Sequence, residues 1–178
     1  SIDKDNGNLV WVTSTRDTDN FFETFLMKSS KILLNEGQLF LSNNQNAFFA
    51  IDKKSGFINW KHNINSEIKP IIVGNIIFTM SSVGLLFIVD KVSGNILRIT
   101  NIFDQFKKKK RVNIKPTGIS LDINRVYLTL NNGKIIIVDI RNGKTESIFK
   151  IAKGKISQPF INDNNMFIVK NNEIIKLN

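Results

Sequence analysis

The residue types from which most catalytic and metal sites are built are scarce in this sequence. Cysteine is absent, which removes disulfides, thiolate metal ligands and cysteine nucleophiles together. His62 is the single histidine. Neither a histidine-based metal cluster nor a Ser-His-Asp triad with a spare partner can be assembled around it, and it reads as the decoration of a strand end. No glycine-rich loop follows a strand and opens a helix in the way a phosphate cradle requires. Catalytic, cofactor-binding and metal-binding residues are therefore all expected to be none. Two sets of charged residues remain: aspartates at a recurring place, and the consecutive cations Lys107, Lys108, Lys109, Lys110 and Arg111.

The aspartates belong to a repeat. Ile2-Asp3-Lys4-Asp5-Asn6-Gly7, Ile51-Asp52-Lys53-Lys54-Ser55-Gly56, Val89-Asp90-Lys91-Val92-Ser93-Gly94 and Val138-Asp139-Ile140-Arg141-Asn142-Gly143 superpose, with an apolar residue before each Asp and Gly four positions after it. Asp3, Asp52, Asp90 and Asp139 are separated by 49, 38 and 49 residues, a period typical of stacked supersecondary units. The chemistry is that of a hairpin turn. The carboxylate accepts from its own downstream backbone N–H groups, and Gly supplies a positive φ without a Cβ clash. This accounts for the carboxylates better than a cation or quinone site does. Trp11 and Trp60 follow their motif Asp by eight positions, where a large ring can pack between adjacent sheets. Arg98 and Ser147 stand there in the other copies, and this staple is expected to be lost in both.

The elements that carry the motif read as short strands. The second strand of each repeat is Gln38–Leu41, Ile76–Thr79, Arg125–Leu128 and Asn165–Ile168, short runs with β-branched or aromatic residues at their centres and bounded by turn residues. Pro70, Pro116 and Pro159 head the first strands, where no ladder donor is lost. Leu85–Val89 and Ile135–Val138 are apolar throughout, as inner strands buried on both faces must be. Helical periodicity is weak and confined to Asn20–Met27 and Ile102–Phe106. The expectation is an all-β fold, a β-propeller of four-stranded antiparallel blades with four blades in this chain. As one partial propeller over 1–178, the blades fall at about 25–63, 66–101, 112–151 and 155–178, with an outer strand at 8–15. That first strand lacks the inner strands of its blade, and the last blade lacks its outer strand. Either the two ends pair within one chain, or each takes a strand from elsewhere. Ser1 opens directly into a repeat motif, which reads as a piece of a longer protein with any signal or lipid anchor upstream.

Lysine and arginine number 25 against 15 acidic residues, a net charge of +10. The surplus invites a nucleic-acid partner. However, the chain is rich in Ile, Asn and Lys, the products of AT-rich codons, and no base-stacking aromatics are interleaved with the cations; nucleic acid is not expected. The run from Lys107 to Arg111 lies in the connection between two blades. It is read either as a solvated loop or as a contact for an acidic protein surface or anionic lipid headgroups. The inserted loop Thr15–Phe25 places Phe21, Phe22 and Phe25 on a polar connection. These rings are candidates for partner binding, or for covering a blade edge.

The pattern of an apolar pair, Asp, Ser or Asn, Gly and then Trp resembles PQQ-like propeller repeats. Phe48-Phe49-Ala50-Ile51-Asp52 through Trp60-Lys61, the Pro-headed strands and the end at Ile174-Ile175-Lys176-Leu177 look most like the second half of the BamB family of outer-membrane-assembly lipoproteins. That resemblance implies half of an eight-bladed propeller. It implies a non-enzymatic scaffold tethered to the outer membrane on its periplasmic side, with the barrel-insertase subunit of the assembly machinery as protein partner. It also raises a homodimer completing an eight-bladed ring. In the family an acidic pair in one blade-entry loop contributes to the insertase contact. Glu23-Thr24-Phe25-Leu26-Met27-Lys28 corresponds to that loop and lacks the pair, so it assigns no binding residue. Two readings from other classes are a partial quinoprotein dehydrogenase and the luminal or periplasmic sensor domain of a membrane kinase. The first would retain quinone or metal on purification, and the second would show a transmembrane helix elsewhere in its gene.

Overall fold

The computed structural model describes residues 1–15, 28–163 and 165–177. Three four-stranded antiparallel sheets are followed by a three-stranded one, each with its strands in sequence order. The first contains β1 (Leu33–Asn35), β2 (Gln38–Asn43), β3 (Ala47–Asp52) and β4 (Ile58–His62). The second contains β5 (Ile71–Val73), β6 (Ile76–Met80), β7 (Leu85–Asp90) and β8 (Ile96–Asn101). The third contains β9 (Pro116–Asp122), β10 (Arg125–Leu130), β11 (Lys134–Asp139) and β12 (Thr145–Lys150), and the last β13 (Phe160–Asn162), β14 (Asn165–Lys170) and β15 (Glu173–Leu177). This is the meander of propeller blades. A 3₁₀ turn at Ile102–Gln105 and a single helical turn at Lys108–Arg111 lie in the connection between the second and third blades. The weakly helical stretch Asn20–Met27 lies outside the described residues.

Burial explains the apolar strands. Phe40, Phe48 and Ala50 face a core shared with Ile77, Phe87 and Val89 of the second blade. Ala47, Phe49 and Ile51 alternate with them and build a second core on the opposite face of the same sheet. A larger core joins the second and third blades through Phe78, Leu86, Ile119, Leu128 and Ile136, with Ile102, Phe103 and Phe106 of the connection packed into it. The second and third sheets thus bury both faces against neighbouring blades.

The Asp-Gly segments connect β3 to β4, β7 to β8 and β11 to β12. Gly56, Gly94 and Gly143 have φ of 75°, 75° and 72°, and Gly7 has 74°. Each of these glycines donates its N–H to the carbonyl of its Asp at 2.8–2.9 Å. The carboxylate of Asp52 accepts from Lys54 N and Ser55 N at 3.0 and 2.7 Å and from the Ser55 hydroxyl at 2.8 Å. Asp90 does the same with Val92, Ser93 and the Ser93 hydroxyl, and Asp3 accepts from Asp5 N and Asn6 N. Asp139 accepts from Arg141 N at 2.7 Å and from the Arg141 guanidinium at 2.9 Å. The three ladders also carry a bulge at the same place, between Ala50 and Ile51, Ile88 and Val89, and Ile137 and Val138.

The outer strand of one blade closes over the turn of the next. A Cβ on Gly94 would lie 2.6 Å from the Trp60 ring, and Trp60 Nε1 donates to the carbonyl of Lys91 at 3.1 Å. Trp11 stands against Gly56 in the same way, with Nε1 donating to the carbonyl of Lys53 at 3.0 Å. Two residues further on, Thr13 and His62 hydrogen-bond the carbonyls of Gly56 and Gly94. The lone histidine is therefore part of an inter-blade contact at the end of β4. Arg98 departs from the expected loss. Its stem lies against Gly143, and its guanidinium donates to the carbonyl of Arg141 at 2.7 Å, so a cation fills the place of the indole. Lys91, buried to 4 % exposure, ties the second blade to the first through Glu36 at 2.7 Å and Asn35 at 2.9 Å.

Residues 8–15 do not form the expected outer strand. Among the described residues Leu9 bridges Ile2 alone and β15 is the edge of its sheet, so no described ladder joins the two ends. The segment is held instead by its side chains on the first blade, through Trp11 and Thr13, with Val10 and Val12 exposed.

Two outcomes follow from these contacts. Trp60→Ala should lower stability by about 2–4 kcal/mol, because it empties an inter-blade site packed by Phe40 and Phe48. Gly94→Ala should cost about 1–3 kcal/mol through its positive φ and the clash with that ring. Chemical denaturation measures both, and an unshifted midpoint in both variants would refute the latch. The second outcome concerns pH. The Arg141 side chain and backbone hold Asp139 down to about 2 from its ordinary value of 3.8, and the Ser55 and Ser93 hydrogen bonds lower Asp52 and Asp90 in the same direction. Carboxylates depressed in the folded state contribute stability that is full above about pH 4 and is lost as pH falls through the folded value. Urea midpoints should therefore drop between pH 4 and pH 2, and the drop should shrink in Asp139→Asn; an equal drop in that variant would exclude Asp139 as a source.

Candidate functional site

A propeller of this kind leaves its connections free to carry contacts, and the longest connection described is that between the second and third blades. It begins at β8 with Asn101, whose side chain caps the 3₁₀ turn by accepting from Phe103 N at 3.1 Å. Phe103 and Phe106 pack edge to face with centroids 5.9 Å apart and anchor the segment in the core. Gly84, at φ 91°, leaves room for the Phe103 ring, which a Cβ there would strike at 2.2 Å.

The cationic run starts where this anchor ends. Lys107 stands at the N-terminal boundary of the helical turn Lys108–Arg111, and Lys107, Lys108, Lys109 and Lys110 are exposed. Arg111 behaves differently from the lysines. Its guanidinium donates to the carbonyl of Phe106 at 2.8 Å, to the Asp104 carboxylate at 2.8 Å and to the Asp104 carbonyl at 2.7 Å. Asn101 Nδ2 donates to the same carboxylate at 2.9 Å. The arginine pins the loop, and the lysines are what it presents.

Two lysines outside the run join it. Lys109 and Lys110 border a cleft of about 320 Å³ with Phe106, Ile114, Lys134 and Lys150. Lys134 opens β11 and Lys150 closes β12, directly opposite each other in the ladder, and the Lys134 ammonium sits 5.1 Å from the centre of the Phe106 ring. Sequence reading missed both, since they lie 23 and 39 residues beyond Arg111 and only strand register brings them to it.

A second cleft of about 480 Å³ opens between the third and fourth blades, lined by Tyr127, Ile135, Ile137, Phe149, Ile161 and Met166 among others. Ser147 is the residue at the staple position here, and Phe149, two residues on, is half exposed. At the rim the Arg125 guanidinium meets the Glu146 carboxylate at 2.7 Å, and that hydrogen bond raises Arg125 above its ordinary value. The sequence candidates Phe21, Phe22 and Phe25 lie outside the described residues. Asp3, Asp52, Asp90 and Asp139 are dispersed among separate turns, and no three His, Cys, Asp or Glu side chains gather into a metal-holding group among the described residues.

Comparison with known proteins agrees with this architecture. The family model of the outer membrane protein assembly factor BamB matches residues 1–100. No curated protein matches the chain in sequence. Among solved structures, BamB from Moraxella catarrhalis superposes with a TM-score of 0.66 at 12 % identity, covering 83 % of this chain and 41 % of that one. Sqt1 from Saccharomyces cerevisiae gives 0.67 at 16 % identity over 84 % of this chain and 44 % of its own. The computationally designed protein Ika4 gives 0.64 at 15 % identity over 83 % of this chain and 91 % of its own. The structural likenesses establish the fold, and this chain spans less than half the length of the Moraxella protein. With the sequence match extending over more than half its residues, the chain belongs to the BamB family of PQQ-like repeat propellers.

Proposed function

We propose that this chain is part of a non-enzymatic protein-interaction scaffold that assists the assembly of outer-membrane β-barrel proteins. In the full-length protein it is periplasmic and tethered to the outer membrane. The observation that carries the reading is the family match over residues 1–100. The engagement of every motif aspartate in its own turn supports it, because the carboxylates that a quinoprotein reading would recruit are already committed. The partner is the barrel-insertase subunit, met through blade connections. Lys107–Arg111 is one contact segment, and Phe21, Phe22 and Phe25 supply another.

The edge at β15 and segment 8–15, which lies outside the four described sheets, extend this proposal to the ring. Each end is completed by a further blade, supplied by a longer chain or by a second copy. In a preparation of this chain alone, light scattering should then give a mass near two chains, with each half closing the other. A monomer at all concentrations would remove the second copy from the proposal.

Calorimetric titration with the purified periplasmic region of the insertase from the same cells should show saturable binding. Replacing Lys107–Lys110 by Ser and Gln, with Arg111 kept to pin the loop, should weaken it severalfold at low salt and less at high salt. Absence of binding, together with normal outer-membrane barrel content in cells lacking the gene, would refute the scaffold reading.

A further inference from the structure

Four lysines converge on the cleft beneath the helical turn, and no carboxylate among the described residues neutralises them. Lys109 and Lys110 come from the turn, Lys134 from β11 and Lys150 from β12. Among the described residues none of the four is in an ion pair, whereas Lys91, Arg111, Arg125 and Arg141 each have a carboxylate. Lys134 and Lys150 are also directly opposed across an antiparallel pair, an arrangement that disfavours folding. The equivalent ladder position of the second blade holds Leu85 opposite Asn101. The like-charge pair is thus a feature of this blade and not of the repeat. The turn is held over it by Arg111 and Asp104, so the cations are concentrated by a built contact.

The geometry points to this cleft as a binding site for an acidic segment of a protein partner, one apolar side chain flanked by aspartates or glutamates. The rim is ammonium groups, and the floor is the Phe106 ring and Ile114, a combination that takes a carboxylate and an apolar side chain together. Planar bidentate recognition of phosphate favours arginine, and the one arginine of the run is consumed by Asp104 and two backbone carbonyls. Lysine ammoniums are point charges that accept carboxylates from several directions, which suits a peptide of varied conformation. The choice of a protein as occupant rests on the scaffold reading above; the cleft itself does not depend on the insertase being that protein.

The test is fluorescence polarisation on this chain with a labelled pentapeptide carrying one phenylalanine between two pairs of glutamates. Substituting Lys109→Gln, Lys110→Gln, Lys134→Gln and Lys150→Gln together should weaken binding by roughly tenfold or more. A matched variant with Lys4→Gln, Lys31→Gln, Lys54→Gln and Lys144→Gln lowers the net charge equally at exposed positions away from the cleft, and should bind like the parent. A peptide with glutamine for glutamate, and one with glycine for phenylalanine, should each bind severalfold more weakly. The cleft variant relieves a like-charge pair and gives up the Lys134 contact with the Phe106 ring, so its thermal midpoint should stay near the parent's, which separates lost binding from lost fold. Equal weakening in both quadruple variants would overturn the site in favour of bulk charge. Phosphatidylglycerol vesicles bound through the same four lysines, with no peptide binding, would overturn it in favour of a lipid surface. Insertase titrations report separately: binding there that survives the cleft variant leaves the scaffold reading intact while the peptide result decides the cleft.

Discussion

The structure depends on one contact, the closing of an outer-strand side chain over a turn that has no Cβ. A propeller blade has no private core, because its sheet is buried only where a neighbour lies against it. Phe49 and Ile51 are covered on one face with Trp11, while Phe48 and Ala50 are covered on the other by Ile77, Phe87 and Val89 of the second blade. Whatever fixes the spacing of adjacent sheets therefore fixes the burial of both. Gly56 and Gly94 do this by admitting the face of an indole where a methyl group would collide. The indole N–H then takes a carbonyl that the turn leaves free. The hydrogen bond adds direction to an attraction that is otherwise only dispersion and exclusion of water.

The same contact shows how the repeat tolerates change. Arg98 keeps both halves of the interaction by other means, with its aliphatic stem on Gly143 and its guanidinium on the carbonyl of Arg141. Ser147 keeps neither. The interface that follows it contains the larger of the two clefts described, and it is held by the inner strands instead, where Gln158 donates to the carbonyl of Ile119 at 2.9 Å and packs on Gly118. Inter-blade cohesion thus moves from the rim to the centre along the chain.

Much of this was legible in the sequence because the repeat states it four times. An Asp with Gly four residues later is ambiguous alone, but in register it fixes the turn, the strands on either side and the place of Trp11 and Trp60. The second strands and the Pro-headed first strands follow from the same register. What escaped was of three kinds. Residues 8–15 have the composition of a strand, yet a strand is a relation to a partner, and among the described residues no sheet takes them as a strand. Reading Arg98 as a lost staple treated the residue type as the interaction, although a long cation can cover a glycine and donate as an indole does. Lys134 and Lys150 escaped for a third reason. Their opposition is set by the bulge between Ile137 and Val138, which shifts the register by one residue and leaves no mark in composition.

The net charge of +10 reads differently once its distribution is known. Several cations serve the fold: Lys91 joins two blades, Arg98 covers a turn, and Arg111 pins a loop. These would be present whatever the protein bound. Of the four lysines of the cleft only Lys134 has a described contact of this kind, over the Phe106 ring, while all four line one cleft and two are opposed in a ladder. A solvated coat of lysines separates its charges, because repulsion falls with distance and water screens what remains. Here the fold brings them together and then spends an arginine and an aspartate on keeping them so. An arrangement unfavourable to the free chain becomes favourable only with an anion between the charges, and the cleft has an apolar floor on which a side chain can rest while its carboxylate neighbours meet the rim.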